Sequence, residues 1–198
     1  MTVITTREAI SLGLREALDN DERVFLMGED IAHYGGAYAV TKDFLKDYGD
    51  SRIRDTPICE DTIIGAAVGS SMGGMRPIVE IMSINFALLG MDQIINHAAK
   101  LRYMSDGQLN VPIIIRTVTG GGGQLAATHS QSFEGWFASV PGLKVAVPAY
   151  PCDALGLMRS ALLEEDPVIY VEHGLLYNVS QEKCSDSHII PFGKANIT

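Results

Sequence analysis

A chain of 198 residues, 46% apolar and 20% charged, has the composition of one ordinary globular domain and removes roughly 70% of its unfolded surface from water on folding, so it stands without metal or disulfide staples. Its 15 basic and 24 acidic residues give a formal charge of −9 with no basic cluster, which speaks against nucleic acid and anionic membrane as partners. The three cysteines, Cys59, Cys152 and Cys184, are odd in number and far apart, arguing against a disulfide framework and for a reducing compartment, a bacterial-type cytoplasm or an organelle matrix.

The opening MTVITTREAI lacks the basic flank and apolar run of a signal peptide, and the longest small-apolar stretch, 62–75, is too short to cross a bilayer, so a soluble protein is expected. Thr5 and Glu8 have the spacing of a capping box, and Ile10, Leu14, Ala17 and Leu18 share one face, predicting a first helix to about Asp19. Short, nearly continuous apolar runs follow at 24–27, 78–82, 111–115, 143–147 and 168–171, with 53–55 as a sixth candidate. Such runs read as strands of a parallel sheet covered on both faces. Helical segments lie between them at 41–48, closed by Gly49, and at 60–74, 89–104, 130–139 and 151–164. The alternation predicts an α/β fold, a doubly wound, mainly parallel sheet with helices on both faces and ligands beyond the carboxyl ends of the strands. The tail from Asn178 to Thr198 reads as a connection.

Several motifs invite chemistry. Gly121, Gly123 and Ala126 satisfy the spacing of a dinucleotide fingerprint, but Val147, Pro148 and Ala149 stand where the ribose-binding acid belongs, so a flexible loop at a strand end is the better reading. No Gly-Lys-Ser/Thr follows to make a P-loop, no pair has zinc-site spacing, and no Gly-x-Ser-x-Gly elbow is present. Glu60 and Asp61 open a helix, where carboxylates are favoured in any case; Glu60 also follows a strand and Pro57, at the end of the sheet where ligands bind. His129 follows the glycine loop, while His33 and Tyr34 read as a loop rim. Gly65, Gly69 and Gly73 recur at every fourth position and let another backbone approach that helix face, either across a subunit interface or within the domain. SDGQLN at 105–110 reads as a turn.

The blocks GED at 28–30, RDTPICED at 54–61, IIGAAVGSSMGGMRPIVEIM at 63–82, NF at 85–86, MDQIINHAAKLRYMS at 91–105, THSQ at 128–131 and PGLKVAVP at 141–148 stand in order with no large gap. Together they closely resemble the beta subunit of the two-oxoacid dehydrogenases, the thiamine-diphosphate-dependent decarboxylating component of the pyruvate dehydrogenase type. The resemblance implies a transketolase-like pyrimidine-binding domain over 1–180 and, over 181–198, a linker toward a carboxy-terminal domain that the chain does not contain. It implies that Glu60 contacts the ring nitrogen of the cofactor's aminopyrimidine and shares a proton with it, that Phe86 stacks on that ring with Met82 as a neighbouring wall, and that His129 helps pass the acyl unit to a lipoyl group. A potassium site, mainly of carbonyls, would fall on Ile113, Ala161, Leu162, Glu164 and Asp166, where family members often carry Asp and Asn at the last two. Diphosphate and magnesium would be held by an alpha subunit in a heterotetramer with a second beta chain, serving a lipoyl acyltransferase component. The implied reaction is oxidative decarboxylation of pyruvate with acetyl transfer to lipoamide. An acetoin or branched-chain two-oxoacid dehydrogenase shares the same blocks, and a non-catalytic assembly module is the reading from another class.

Overall fold

The computed structural model describes residues 2–194. A short strand, β1 (Val3–Thr5), leads into α1 (Thr6–Asn20), which begins where the capping box predicts: the Thr5 hydroxyl accepts from the Glu8 N–H, and the Glu8 carboxylate accepts from the Thr5 N–H. Two donors that a helix start leaves open are thereby satisfied. Six strands follow, β2 (Val24–Gly28), β3 (Ile53–Asp55), β4 (Arg76–Ile81), β5 (Ile114–Thr119), β6 (Lys144–Ala146) and β7 (Val168–His173), forming one parallel sheet in the order β3-β2-β4-β5-β7-β6. The fold is the doubly wound α/β architecture that the alternating pattern predicts.

Register divides the core into two layers. Leu26, Ile78, Ile114 and Val168 stand side by side and meet Ile10 and Leu14 of α1 and Leu155 and Met158 of α6 (Pro151–Leu162). Their neighbours Met27, Val79, Ile115 and Ile169 point the other way, against Ile63, Ile64 and Ala67 of α3 (Glu60–Met72). The remaining α-helices are short: α2 (Phe44–Tyr48), α4 (Leu101–Met104) and α5 (Glu134–Ala138). No helix among the described residues is long and apolar enough to cross a membrane.

Three elements depart from the sequence expectation for identifiable reasons. The helix expected at 89–104 is broken into a 3-10 turn (Phe86–Gly90), a π turn (Gln93–Ala98) and α4. At Gly90 a Cβ would lie 2.4 Å from the Ile64 side chain and 3.3 Å from the Glu60 carbonyl, so the chain comes too close to α3 for a regular helix with side chains there. The strand expected at 111–115 begins at Ile114 and runs on to Thr119, through the polar Arg116 and Thr117. A further strand, β8 (Ser180–Glu182), pairs antiparallel with β1, straddling the 180/181 position at which the domain was expected to give way to a linker. The following residues lie along α6: Arg159 donates to the His188 carbonyl at 2.9 Å, and the Ile190 N–H donates to the Gly156 carbonyl at 3.3 Å. The last four residues of that expected linker, 195–198, lie outside the described residues.

Arg116 can enter a buried strand because its charge is matched. Its Nη1 donates to Glu80 of β4 at 2.7 Å, and its Nε and Nη2 grip Glu172 of β7 at 2.7 and 3.0 Å. The Tyr177 hydroxyl donates to the same Glu172 at 2.6 Å. All three charged residues are buried. Burial works against the charged guanidinium, yet Glu172 and Glu80 outweigh it and raise the Arg116 pKa; burial likewise pushes the Glu172 carboxyl up against the pull of Arg116 and Tyr177. Replacing Arg116 with Met leaves two carboxylates buried without their cation. The expected loss is about 3–5 kcal/mol of unfolding free energy, measured by urea denaturation; an unchanged midpoint and slope would show that the cluster does not bind the strands together.

Candidate functional site

A cleft of about 390 Å³ opens at the carboxyl ends of β4, β5 and β7, the edge where an open parallel sheet binds ligands. Its floor is Met82, Val118 and Gly174, each two residues beyond a member of the Arg116 cluster. Glu80, Arg116 and Glu172 therefore lie two residues before the lining, near the ends of three neighbouring strands. Tyr38 closes one side, its ring 5.2 Å from that of Tyr177, so the wall of the cleft rests on the same network. Burial, then the charges of Glu80 and Glu172, raise the Tyr38 pKa.

Phe86 and His129 form the opposite wall, with ring centroids 5.2 Å apart and planes at 85°, an edge-to-face contact. His129 is exposed at the end of a 3-10 turn (Ala127–His129), and its Nδ1 is 2.8 Å from the Thr128 hydroxyl. The glycine loop delivers it there. At Gly120 a Cβ would meet Gln131 backbone atoms at 2.8 Å, and at Gly122, where φ is +83°, it would lie 2.5 Å from Leu175. Gln124 and Ala126 also take positive φ, of 53° and 68°, so the loop holds backbone strain beside the cleft. Met82, Phe86 and His129, separate in the sequence, thus line one cavity.

Glu60 does not line that cavity. It is the first residue of α3, and its backbone touches the 3-10 turn whose first residue is Phe86. It is 4% exposed, and no hydrogen bond within the described residues reaches its carboxylate. With its acceptor capacity not taken up by a protein donor, this carboxylate beside an aromatic wall fits a ring nitrogen. Sequence reasoning missed Glu29, the middle residue of GED: its pKa is raised by burial first, then by the charge of Glu60 and of Asp30. Its position just past β2 is the signal that could have marked it. His33, by contrast, is tied down with its Nδ1 2.7 Å from Asp55, while Tyr34 is exposed.

The carbonyls assigned to potassium have other partners. Arg76 Nη2 donates to the Leu162 carbonyl at 2.8 Å and to the Glu164 carbonyl at 2.7 Å. Ile113 O accepts from the Val168 N–H at 3.0 Å, and Ala161 O from the Glu164 N–H at 3.2 Å. The Asp166 carboxylate accepts from Arg102 at 2.9 Å, and the Glu164 carboxylate pairs with Lys144. A guanidinium supplies positive charge at this turn. The glycine stripe also divides. Gly65 faces the Gln93 side chain at 3.4 Å, Gly73 faces the Ser70 carbonyl, and a Cβ on Gly69 meets nothing within 4 Å.

The proximity of two carboxylates gives a direct check. Replacing Glu60 with Gln removes one of the charges that raise the Glu29 pKa, so that pKa is expected to fall toward its ordinary value. Carboxyl carbon NMR titration of the two chains measures this, and an identical Glu29 titration would separate the pair.

Residues 2–179 match the family model of the transketolase pyrimidine-binding domain. The chain is 48% identical over 198 residues to the mitochondrial pyruvate dehydrogenase E1 component subunit beta of Bos taurus, covering 98% of this chain and 55% of that one. Its identity is 45% to the subunit of the same name from Gracilaria tenuistipitata var. liui, covering 100% of this chain and 61% of the relative, and 45% to that from Rhizobium meliloti (strain 1021), covering 100% and 43%. The chain therefore spans about half the length of the curated relatives it matches. Among solved structures, a split gene transketolase described as an inactive beta4 tetramer superimposes with a TM-score of 0.75 at 21% identity, covering 96% of this chain and 57% of that one, a likeness of fold. The chain belongs to the transketolase pyrimidine-binding domain family.

Proposed function

We propose that this chain is the aminopyrimidine-binding part of the beta subunit in the decarboxylating component of a pyruvate dehydrogenase type complex. The observation that carries the reading is Glu60, buried and without a hydrogen-bond partner among the described residues, on the helix packed against the Phe86 turn of an open strand-end cleft. When bound, thiamine diphosphate supplies the nucleophilic carbon for decarboxylating a two-oxoacid, here pyruvate. Glu60 holds a proton at the ring nitrogen, Phe86 stacks against the ring, and Met82 bounds it. His129, exposed at the mouth, lies where an incoming lipoyl group of the acyltransferase component reaches the acetyl unit. The diphosphate and its magnesium fall to an alpha subunit; the described residues hold no group of three or more His, Cys, Asp or Glu side chains placed for a metal ion.

The partner surface in this reading includes the open Gly69 face of α3, and the assembly is a heterotetramer with two beta chains. Residues 181–198 lead toward the further length that the relatives carry. The compartment is a bacterial-type cytoplasm or an organelle matrix, in keeping with the bacterial and mitochondrial relatives.

The test uses the complex with the alpha subunit. Glu60→Gln keeps a hydrogen-bonding group but not the carboxylate's charge, so exchange of the cofactor's thiazolium proton is expected to slow by about 10²–10⁴-fold with little change in cofactor affinity. His129→Ala is expected to spare that exchange and impair acetyl transfer to lipoamide. Unchanged exchange in Glu60→Gln removes Glu60 from the mechanism, and a complex that does not accelerate exchange at all supports a non-catalytic assembly module.

A further inference from the structure

The edge-to-face pair of Phe86 and His129 joins two segments distant in the sequence, and one buried side chain behind that wall is bonded to both segments. Asn85 is 6% exposed and stands immediately before the 3-10 turn that Phe86 opens. Its Oδ1 accepts from the Gln131 N–H at 3.1 Å and from the Gln131 side-chain amide at 3.4 Å, and Gln131 is two residues beyond His129. Its Nδ2 donates to the Ser83 hydroxyl at 2.7 Å. A backbone N–H can only donate, so the amide is fixed with its oxygen toward the loop and its nitrogen toward the turn.

The loop that carries His129 is closed at its neck. The Gly120 N–H donates to the Gln131 carbonyl at 3.0 Å, and the Thr119 and Ser132 hydroxyls are 2.9 Å apart. A Cβ at Gly120 would lie 2.6 Å from Asn85 Nδ2, so the amide occupies the space that the glycine leaves. The Phe86 turn has anchors of its own: the Ile84 N–H donates to the Val118 carbonyl, and the Phe86 N–H to the Ser83 carbonyl, each at 2.9 Å. The bonds of His129 stay within its loop, its N–H donating to the Ala126 carbonyl at 3.3 Å and its Nδ1 lying beside Thr128. The place of the imidazole relative to Phe86 is therefore set at the neck, where Asn85 joins loop to turn.

We propose that Asn85 is a positioning residue whose amide oxygen holds the His129 loop against the Phe86 turn and so sets the imidazole in the wall of the cleft. Asn85 is not among the residues lining the cleft, and it acts through the Gln131 backbone. A buried amide shared between two loops specifies one relative placement, because a slip leaves a buried donor or acceptor unpaired. The clamp stands on this geometry alone; its consequence for acetyl transfer rests on the proposed function. A displacement of about 1 Å in a group that must meet a reacting centre can cost about 10²-fold in rate.

NMR on the ligand-free chain reads the clamp directly. The Gln131 amide is expected to exchange with solvent at least about 10-fold more slowly than that of Thr128 in the same loop, and the Phe86 and His129 ring protons to show a mutual nuclear Overhauser effect. Asn85→Ala is expected to abolish both signals, and Asn85→Asp, which keeps an acceptor facing the Gln131 N–H, to retain them. In the complex with the alpha subunit, Asn85→Ala is expected to slow acetyl transfer to lipoamide about 10-fold more than it slows thiazolium proton exchange, with Asn85→Asp recovering the transfer. An unprotected Gln131 amide in the unaltered chain overturns the clamp even where Asn85→Ala does not fold, and so does a Phe86–His129 contact that survives in Asn85→Ala. Equal losses of exchange and transfer, unrecovered by Asn85→Asp, overturn the positioning role. An unaltered complex that catalyses neither step counts against the proposed function, while amide protection and the ring contact still decide the clamp.

Discussion

One guanidinium holds the middle of this sheet together. Arg116 is bonded to Glu80 on one neighbouring strand and to Glu172 on the other, and the Tyr177 hydroxyl adds a third donor to Glu172. Residues just beyond these strand positions line the cleft, and Tyr38, its ring tilted against that of Tyr177, makes one of its walls. Buried ion pairs are expensive to desolvate and contribute little net stability compared with apolar packing. Their value here is geometric: a bidentate grip on Glu172 and a single bond to Glu80 tie three neighbouring parallel strands together beside the cleft.

The site is assembled from groups that no single segment carries. Phe86 comes from the turn after β4, His129 from the loop after β5, Leu175 from the turn after β7, and Glu60 from the start of the helix that follows β3. The close approach at Gly90, which breaks a helix into 3-10 and π turns, sets the Phe86 turn against the first turn of α3. The distortion therefore belongs to the architecture of the site. A carboxylate without a donor and an aromatic wall without a stacking partner are complementary to a polar heterocycle, and that complementarity supports the reading of the chain as half of a cofactor site.

The sheet was legible from sequence because parallel strands buried on both faces leave continuous apolar runs, and the first helix because a capping box is a local signal. β5 was misplaced because Arg116 and Thr117 look like solvent-facing residues until their partners on distant strands are known. β1 and β8 escaped notice because strands of three residues carry no periodicity. Glu60 and His129 could be singled out by their place at strand ends. Phe86 and Met82 entered only through family resemblance, since an aromatic or a methionine in an apolar stretch is ordinarily core.

The central claim is that Glu60 is left unpaired by the protein so that a ligand can complete it. The most direct test is the structure of the complex formed by this chain, the alpha subunit and thiamine diphosphate. The account predicts the Glu60 carboxylate roughly 2.6–3.2 Å from the aminopyrimidine ring nitrogen, with the Phe86 ring against the pyrimidine face. A pyrimidine bound elsewhere, or a Glu60 carboxylate turned to a protein donor while the ring occupies the cleft, would contradict it.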